Sequence, residues 1–129
     1  MNLRSTLATA AVLSVTATML AAAPASANDD DVIRRGSCSG ATHWKVKAGP
    51  DDGRIEVEGE VDSNRNGQHW RWRLVHNGSV SARGTRVTTA PSGSFEVRRL
   101  LVNVAGQDTI VFRARNVRSG EICRGTVRI

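Results

Sequence analysis

The feature that most constrains the fold of this chain is an alternation of apolar and polar residues that recurs between turn signals. It is clearest in residues 66–78, NGQHWRWRLVHNG, where Trp70, Trp72 and Leu74 alternate with charged residues and Asn-Gly stands at both ends. A period of two residues is typical of a strand with one buried face, and Asn-Gly is typical of a hairpin turn. We therefore expect a central strand here, with both tryptophans in the core.

The same alternation predicts an all-β fold of seven short antiparallel strands. The predicted strands cover residues 42–48, 54–62, 68–76, 79–88, 95–104, 109–117 and 121–129. In the fifth strand the apolar positions change parity near Arg98 and Arg99, so a β-bulge is expected there. Beyond the bulge, the buried face should continue through Leu100, Val102 and Val104. No segment keeps a period of 3.6 residues over the length of an ordinary helix.

Residues 1–27 have the features of a secretory signal peptide. Arg4 precedes an uncharged, largely apolar run over 7–23, and an A-x-A sequence follows at 25–27. This order of segments predicts cleavage after Ala27 and a secreted, extracellular protein. A membrane anchor is the alternative, because the apolar run is only slightly short for a bilayer span.

The rest of the chain predicts a flexible N-terminal leader over 28–36 and one domain over 37–129. Its two cysteines, Cys38 and Cys123, form an even pair in an exported chain, which predicts a disulfide bond between the N-terminal segment and the last strand. A redox or metal-binding thiol pair is the alternative, but the close C-x-x-C spacing of such pairs is absent.

Several of these features resemble a known family. The strand number, the inward tryptophan of the third strand, the SGSFEV segment and the QDTIVFRARN strand resemble a small secreted bacterial family, of actinobacterial type, with immunoglobulin-like or fibronectin III-like β-sandwich domains. The resemblance implies two packed antiparallel sheets and implies no activity. The chain departs from antibody domains because its cysteines do not lie on the second and sixth strands and it contains no tyrosine.

The charge of the chain is basic and rich in arginine. Without Arg4 the mature chain keeps 17 Lys+Arg against 12 Asp+Glu, a net charge of +5, and only Lys45 and Lys47 are lysines. If the third, sixth and seventh strands share a sheet, as in immunoglobulin-like folds, its outer face is basic and free of acids. That face would consist of His69, Arg71, Arg73, Arg113, Arg115, Arg124 and Arg128.

Guanidinium groups suit phosphate, sulfate and carboxylate partners. The hypothesis is therefore a binding face for an extracellular polyanion or a cell-wall polymer, and the alternative is a solvated face that aids only solubility. No aromatic side chain is expected outward beside these arginines, which argues against nucleic acid as the partner. The oligomeric state is left open, since an edge strand over 79–88 can pair with a second copy.

One turn resembles part of a calcium loop. Asp62, Asn64 and Asn66, followed by Gly67, fit the first half of the pattern D-x-[DN]-x-[DN]-G. A complete EF-hand loop has a bidentate glutamate at its twelfth position, where this chain has Arg73. A hairpin turn is therefore the simpler interpretation, because Asn and Gly supply the positive φ angles of such turns.

No catalytic arrangement is recognisable in the sequence. The three histidines, at 43, 69 and 76, lie outside nucleophile motifs and are expected at the surface without partners. The glutamates of the second strand share one face beside Lys45 and Lys47, where cross-strand charge pairing explains them. We expect a secreted non-enzymatic binding module without a cofactor. Two alternatives are a small-ligand carrier similar to chromophore-binding apoproteins and a secreted hydrolase inhibitor with an exposed loop over 49–53 or 89–94.

Overall fold

The computed structural model describes residues 30–129, and the expected signal peptide lies outside this range. All the strands of the described range pair antiparallel in two four-stranded sheets, which confirms the all-β prediction. No helix in residues 30–129 has the length and apolar character needed to cross a membrane. The strands are β1 (Val32–Ser37), β2 (His43–Asp51), β3 (Arg54–Asp62), β4 (His69–His76), β5 (Ser79–Val87), β6 (Ser94–Val102), β7 (Thr109–Asn116) and β8 (Ile122–Arg128).

The first sheet has the order β1-β2-β3-β6 and the second has the order β5-β4-β7-β8. Strand β4, which carries the NGQHWRWRLVHNG motif, is thus an interior strand with β5 on one side and β7 on the other. The edge strands β1 and β8 contact each other, and so do the edge strands β5 and β6. The two sheets contribute to one apolar core, with buried residues from both.

The prediction of seven strands is wrong, because an eighth strand, β1, begins within the expected flexible leader and ends one residue beyond it. This strand pairs with β2 along its whole length, starting with Val32 opposite Ala48. Asp31, just before it, lies with a carboxylate oxygen 3.3 Å from Lys47 Nζ. Among the six residues of β1, only Val32 packs against the core, so the strand has no alternating pattern that sequence analysis could detect.

The predicted β-bulge in the fifth strand, here β6, is also wrong. The pairing of β6 with β3 runs without a shift from Ser94 opposite Asp62 to Val102 opposite Arg54. Arg99 therefore keeps the parity of the core-facing residues, and its guanidinium carbon lies 5.0 Å from the ring centroid of Trp72. Such cation–π stacking allows an arginine to occupy this position. The apolar residues expected to continue the buried face are instead exposed: Leu100, Val102 and Val104.

Aromatic rings in the core fill spaces that glycines leave on facing or neighbouring strands. A Cβ atom added to Gly59 of β3 would stand 2.6 Å from the ring of Phe112 on β7. Trp44 of β2 likewise occupies the space beside Gly36 and Gly125. Because β3 and β7 belong to different sheets, the Gly59–Phe112 contact brings the sheets together at the centre of the core.

The predicted disulfide bond between Cys38 and Cys123 is present. It joins the loop before β2 to β8, so it closes the side of the molecule where β1 and β8 meet. Beside it, the carboxylate of Glu121 accepts hydrogen bonds from both the backbone N–H and the hydroxyl of Thr42.

Candidate functional site

The candidate site begins with the alternation in β4. Trp70, Trp72 and Leu74 are buried on the core side, whereas Arg71 and Arg73 are exposed on the outer side. Since β4 is an interior strand, each outward arginine has a neighbour on both adjacent strands. The sequence pattern of this one strand therefore positions two cations in the middle of the outer face of the second sheet.

The strand pairing aligns four arginines across this sheet. Arg73 lies opposite Arg83 of β5 on one side and opposite Arg113 of β7 on the other, and Arg113 lies opposite Arg124 of β8. We call Arg83, Arg73, Arg113 and Arg124 the arginine row. Directly opposite residues on antiparallel strands have Cβ atoms about 5 Å apart. The row is thus an unbroken series of one cation on each of the four strands.

Two more arginines lie in the next set of opposite residues. Arg71 lies opposite Arg115 of β7, with Thr85 and Ile122 outside them on β5 and β8. An open depression of about 450 Å³ is lined by five of these arginines, all except Arg124, together with Trp72, Gly84 and Thr85. Because the depression is open to solvent, it suits a ligand lying on the sheet better than an enclosed small molecule.

The arginines of this face have no internal counterions. Within residues 30–129, no carboxylate lies within 4.0 Å of the guanidinium groups of the arginine row or of Arg71 and Arg115. No Asp or Glu occurs in β4, β5, β7 or β8 at all. The positive charge of these arginines is therefore compensated only by anions from the solution.

The outer face of the first sheet is different, because three of its cations, Lys45, Lys47 and Arg98, contact carboxylates, although Arg35 and Arg54 have no such contact among the described residues. Lys45 lies 3.3 Å from Glu60, and the guanidinium of Arg98 contacts three glutamates of β3 and β6. Lys47 contacts Asp31 and Glu58. The two outer faces are thus chemically distinct: the first carries carboxylates beside most of its cations, and the strands of the second carry none.

Two of the expected residues lie away from the centre of the basic face. His69 is at the start of β4, opposite Val87, and Arg128 is at the end of β8, opposite Thr109. They share the outer face with the arginine row but are at opposite ends of the sheet. The structure therefore groups Arg71, Arg73, Arg113, Arg115 and Arg124 closely, and leaves the other two at the margins.

Arg83 is a member of the row that the sequence analysis missed. A regular two-residue hairpin at Asn77-Gly78 would place Ala82 opposite Arg73. A shift in the pairing between Leu74 and Val75 instead places Ala82 opposite Leu74 and Arg83 opposite Arg73. The only signal in the sequence is the small, inward pair Ala82 and Gly84 on either side of Arg83.

The Asp62–Gly67 segment forms a turn held by its own polar groups. The backbone N–H of Asn64 donates to a carboxylate oxygen of Asp62 at 3.2 Å, and Asn64 has a φ of 56°. Gly67 has a φ of 78°, and its N–H donates to the carbonyl of Thr88. These bonds are those of a connection between β3 and β4. Within residues 30–129 no group of three or more His, Cys, Asp or Glu side chains is arranged to hold a metal ion.

His76 has a partner, contrary to the expectation for the three histidines. Its Nε2 lies 2.6 Å from a carboxylate oxygen of Asp108, which is 1 % exposed. Asn77 Nδ2 donates to the same oxygen, and the Asn77 side-chain carbonyl accepts from the N–H of Thr109. These contacts tie the β4–β5 turn to the start of β7, which is a structural role at the end of the second sheet opposite to His69.

Comparison of the chain with protein-family models, with curated proteins and with solved structures gives no match. Function is therefore inferred from the geometry and charge of the outer face of the second sheet.

Proposed function

We propose that this protein is a secreted, non-enzymatic binding module that holds polyanions on the outer face of its second sheet. The observation that carries the proposal is the uncompensated arginine row, reinforced by Arg71 and Arg115. The paired charges on the other outer face show that this chain can place carboxylates beside cations, and it does not do so here.

The arrangement has an energetic cost that a ligand would remove. Like charges directly opposite each other destabilise neighbouring strands. An anion bridging two guanidinium groups replaces repulsion with charge-assisted hydrogen bonds, which are stronger than neutral ones. A basic surface that served only solubility would keep the chain soluble equally well if its arginines were dispersed among carboxylates.

The proposed architecture is an immunoglobulin-like sandwich. With β2 to β8 taken as strands A, B, C, C′, E, F and G, the observed neighbours B–E, C–F and F–G are those of such domains. The strand β1 is then an addition that extends the first sheet beyond strand A. In this arrangement the binding face is the outer face of the sheet that contains strands C, F and G.

The disulfide bond fits an oxidising environment of the extracellular type. It supports the proposed secretion, and an extracellular location would bring the basic face into contact with cell-wall or matrix polymers. Among the described residues, the outer face of the second sheet exposes no aromatic ring on which a base can stack: Trp72, which lines the depression, is only 4 % exposed.

The proposal is tested by salt-dependent retention on immobilised heparin, used as a general polyanion. Replacing Arg71, Arg73, Arg113 and Arg115 by serine should lower the salt concentration of elution strongly. The slope of log affinity against log salt should fall in magnitude by about three, since each neutralised charge contributes about 0.7–0.9.

The matched control removes the same charge elsewhere. Arg34, Arg35, Arg54 and Arg118 are exposed and lie outside the second sheet's outer face. Replacing these four by serine should change retention much less. Equal retention of the two variants would mean that net charge alone governs binding, and the proposal would then be abandoned.

A further inference from the structure

From the order of the arginines across the sheet, we infer that the ligand is a linear phosphate chain that lies across the strands, along the arginine row. This inference rests on the proposed polyanion-binding function and adds the class and the orientation of the ligand. The row contains one arginine from each strand of the second sheet, in the order Arg83, Arg73, Arg113, Arg124.

The dimensions of the row set the orientation. Neighbouring strands are about 4.8 Å apart, so the four arginines extend over about 14 Å. Along a strand, by contrast, the sequence provides at most two consecutive outward arginines: Arg71 and Arg73 on β4, and Arg113 and Arg115 on β7. A chain of anions lying across the strands therefore meets four cations in line. One lying along β4 or β7 meets two in line, with the two arginines of the neighbouring strand beside it.

The hydrogen-bonding character of the surface sets the class of ligand. Guanidinium groups are donors only, with no acceptor atoms. In the arginine row and in the neighbouring set that contains Arg71 and Arg115, the only outward side chain with an acceptor is Thr85. Phosphate oxygens present acceptors and need no others. Sugar hydroxyls also present donors, and this surface has almost no acceptors to receive them.

The geometry of guanidinium supports the same class. Its planar fork binds phosphate through two parallel hydrogen bonds, and it is weakly hydrated compared with an ammonium group. Every cation on this face is an arginine, and both lysines of the chain lie on β2 in the other sheet. Successive phosphate groups of one chain can thus each form the same bidentate contact with an arginine.

The test measures affinity for linear polyphosphates of increasing length by titration calorimetry at constant ionic strength. Pyrophosphate, tripolyphosphate and longer size-fractionated chains are used as probes. Affinity should rise steeply with length until the chain spans the row, about 14 Å, and then level off apart from the statistical gain of longer chains.

Two double variants with the same loss of charge on the same face separate the row from its surroundings. Arg83→Ser with Arg124→Ser removes both ends of the row, and the length at which affinity levels off should become shorter. Arg71→Ser with Arg115→Ser should weaken binding by about tenfold and leave that length unchanged. Circular dichroism and melting temperature would check that both variants fold.

Each outcome has a distinct meaning. If affinity rises continuously with length, and both variants respond alike, binding is diffuse and the inference on orientation is wrong, although polyanion binding stands. If polyphosphates of every length fail to bind while heparin retention persists and depends on the face, the phosphate class is wrong. Loss of face-dependent retention on heparin would overturn the proposed function itself.

Discussion

At the residue scale, glycines determine where the large rings of the core can lie. Gly59 leaves a space on β3 that the ring of Phe112 occupies from the opposite sheet. Replacing Gly59 by alanine should push the ring away and reduce the free energy of unfolding by about 1–3 kcal/mol, as overpacking in a dense core does. Chemical denaturation monitored by tryptophan fluorescence measures the change.

Gly84→Ala is the matched control for this prediction. Its added Cβ would lie 3.1 Å from Trp72, and Gly84 is on the edge strand β5, which can shift by a few tenths of an ångström. We expect a much smaller loss of stability there. If Gly59→Ala were as mild as Gly84→Ala, the sheets would not be held as close at Gly59 as the structure indicates.

The buried contact between Asp108 and His76 gives a second prediction at this scale. Asp108→Asn keeps the shape of the side chain but removes the charge that accepts from His76 and Asn77. Hydrogen bonds to charged groups contribute about 1.5–3 kcal/mol, so unfolding should become easier by about 2 kcal/mol. Asp51→Asn, at an exposed carboxylate without an ion pair among the described residues, should change stability little. Equal effects would contradict a stabilising role for the pair.

At the scale of the elements, the arginine row should weaken the second sheet in the absence of a ligand. Arg113→Thr removes the cation between Arg73 and Arg124 and introduces a residue that favours strands. The free energy of unfolding should rise by about 0.5–1 kcal/mol. Added salt should stabilise the natural chain more than this variant, because it screens the repulsion.

Arg98→Thr, on the first sheet, is the opposite case and serves as the control. Arg98 contacts Glu58, whose side chain is only 8 % exposed. Removing this cation leaves a largely buried carboxylate with Lys47 as its remaining partner, at 4.0 Å. Arg98→Thr should therefore destabilise the protein. A gain in stability from both substitutions would mean that strand propensity, and not charge, determines the effect at Arg113.

The interior strands were predictable from the sequence because both of their neighbours enforce the alternation. On the interior strand β4, the bulky apolar side chains of Trp70, Trp72 and Leu74 face the core. The alternation then turns Arg71 and Arg73 to the outer side. The edge strands were harder to predict. Only Val32 of β1 packs against the core, so β1 has no alternating pattern. On β6, Arg99 occupies a core-facing position where the alternation would predict an apolar residue.

The members of the arginine row were likewise predictable from the sequence only in part. Its members on β4, β7 and β8 follow from alternation alone, since each strand has a clear buried face. Arg83 does not, because its place opposite Arg73 depends on the one-residue shift in the pairing between β4 and β5. Pairing of this kind is a property of two strands together, and a pattern read along one strand does not contain it.

At the scale of the whole molecule, the two lateral sides are closed differently. On one side β1 and β8 meet, and the disulfide bond joins Cys38 to Cys123 there. On the other side β5 and β6 are both edge strands without a covalent link. The covalent closure therefore lies at the β8 edge of the second sheet, which carries Arg124 at one end of the arginine row.

This difference predicts that the disulfide contributes to stability and leaves the binding face unchanged. The cysteines are 85 residues apart, and closing a loop of this length restricts the unfolded chain by about 4–5 kcal/mol in the chain-entropy model. Replacing both by alanine should lower the free energy of unfolding by about that amount, measured by urea denaturation. At temperatures where the variant is folded, its elution salt on heparin should equal that of the natural chain, because neither cysteine lies on the outer face of the second sheet. If the free energy of unfolding of the variant equalled that of the natural chain, the disulfide bond would contribute little to stability. Altered binding in a folded variant would show instead that the bridge positions Arg124 through β8, so that the side of the molecule it closes is part of the site.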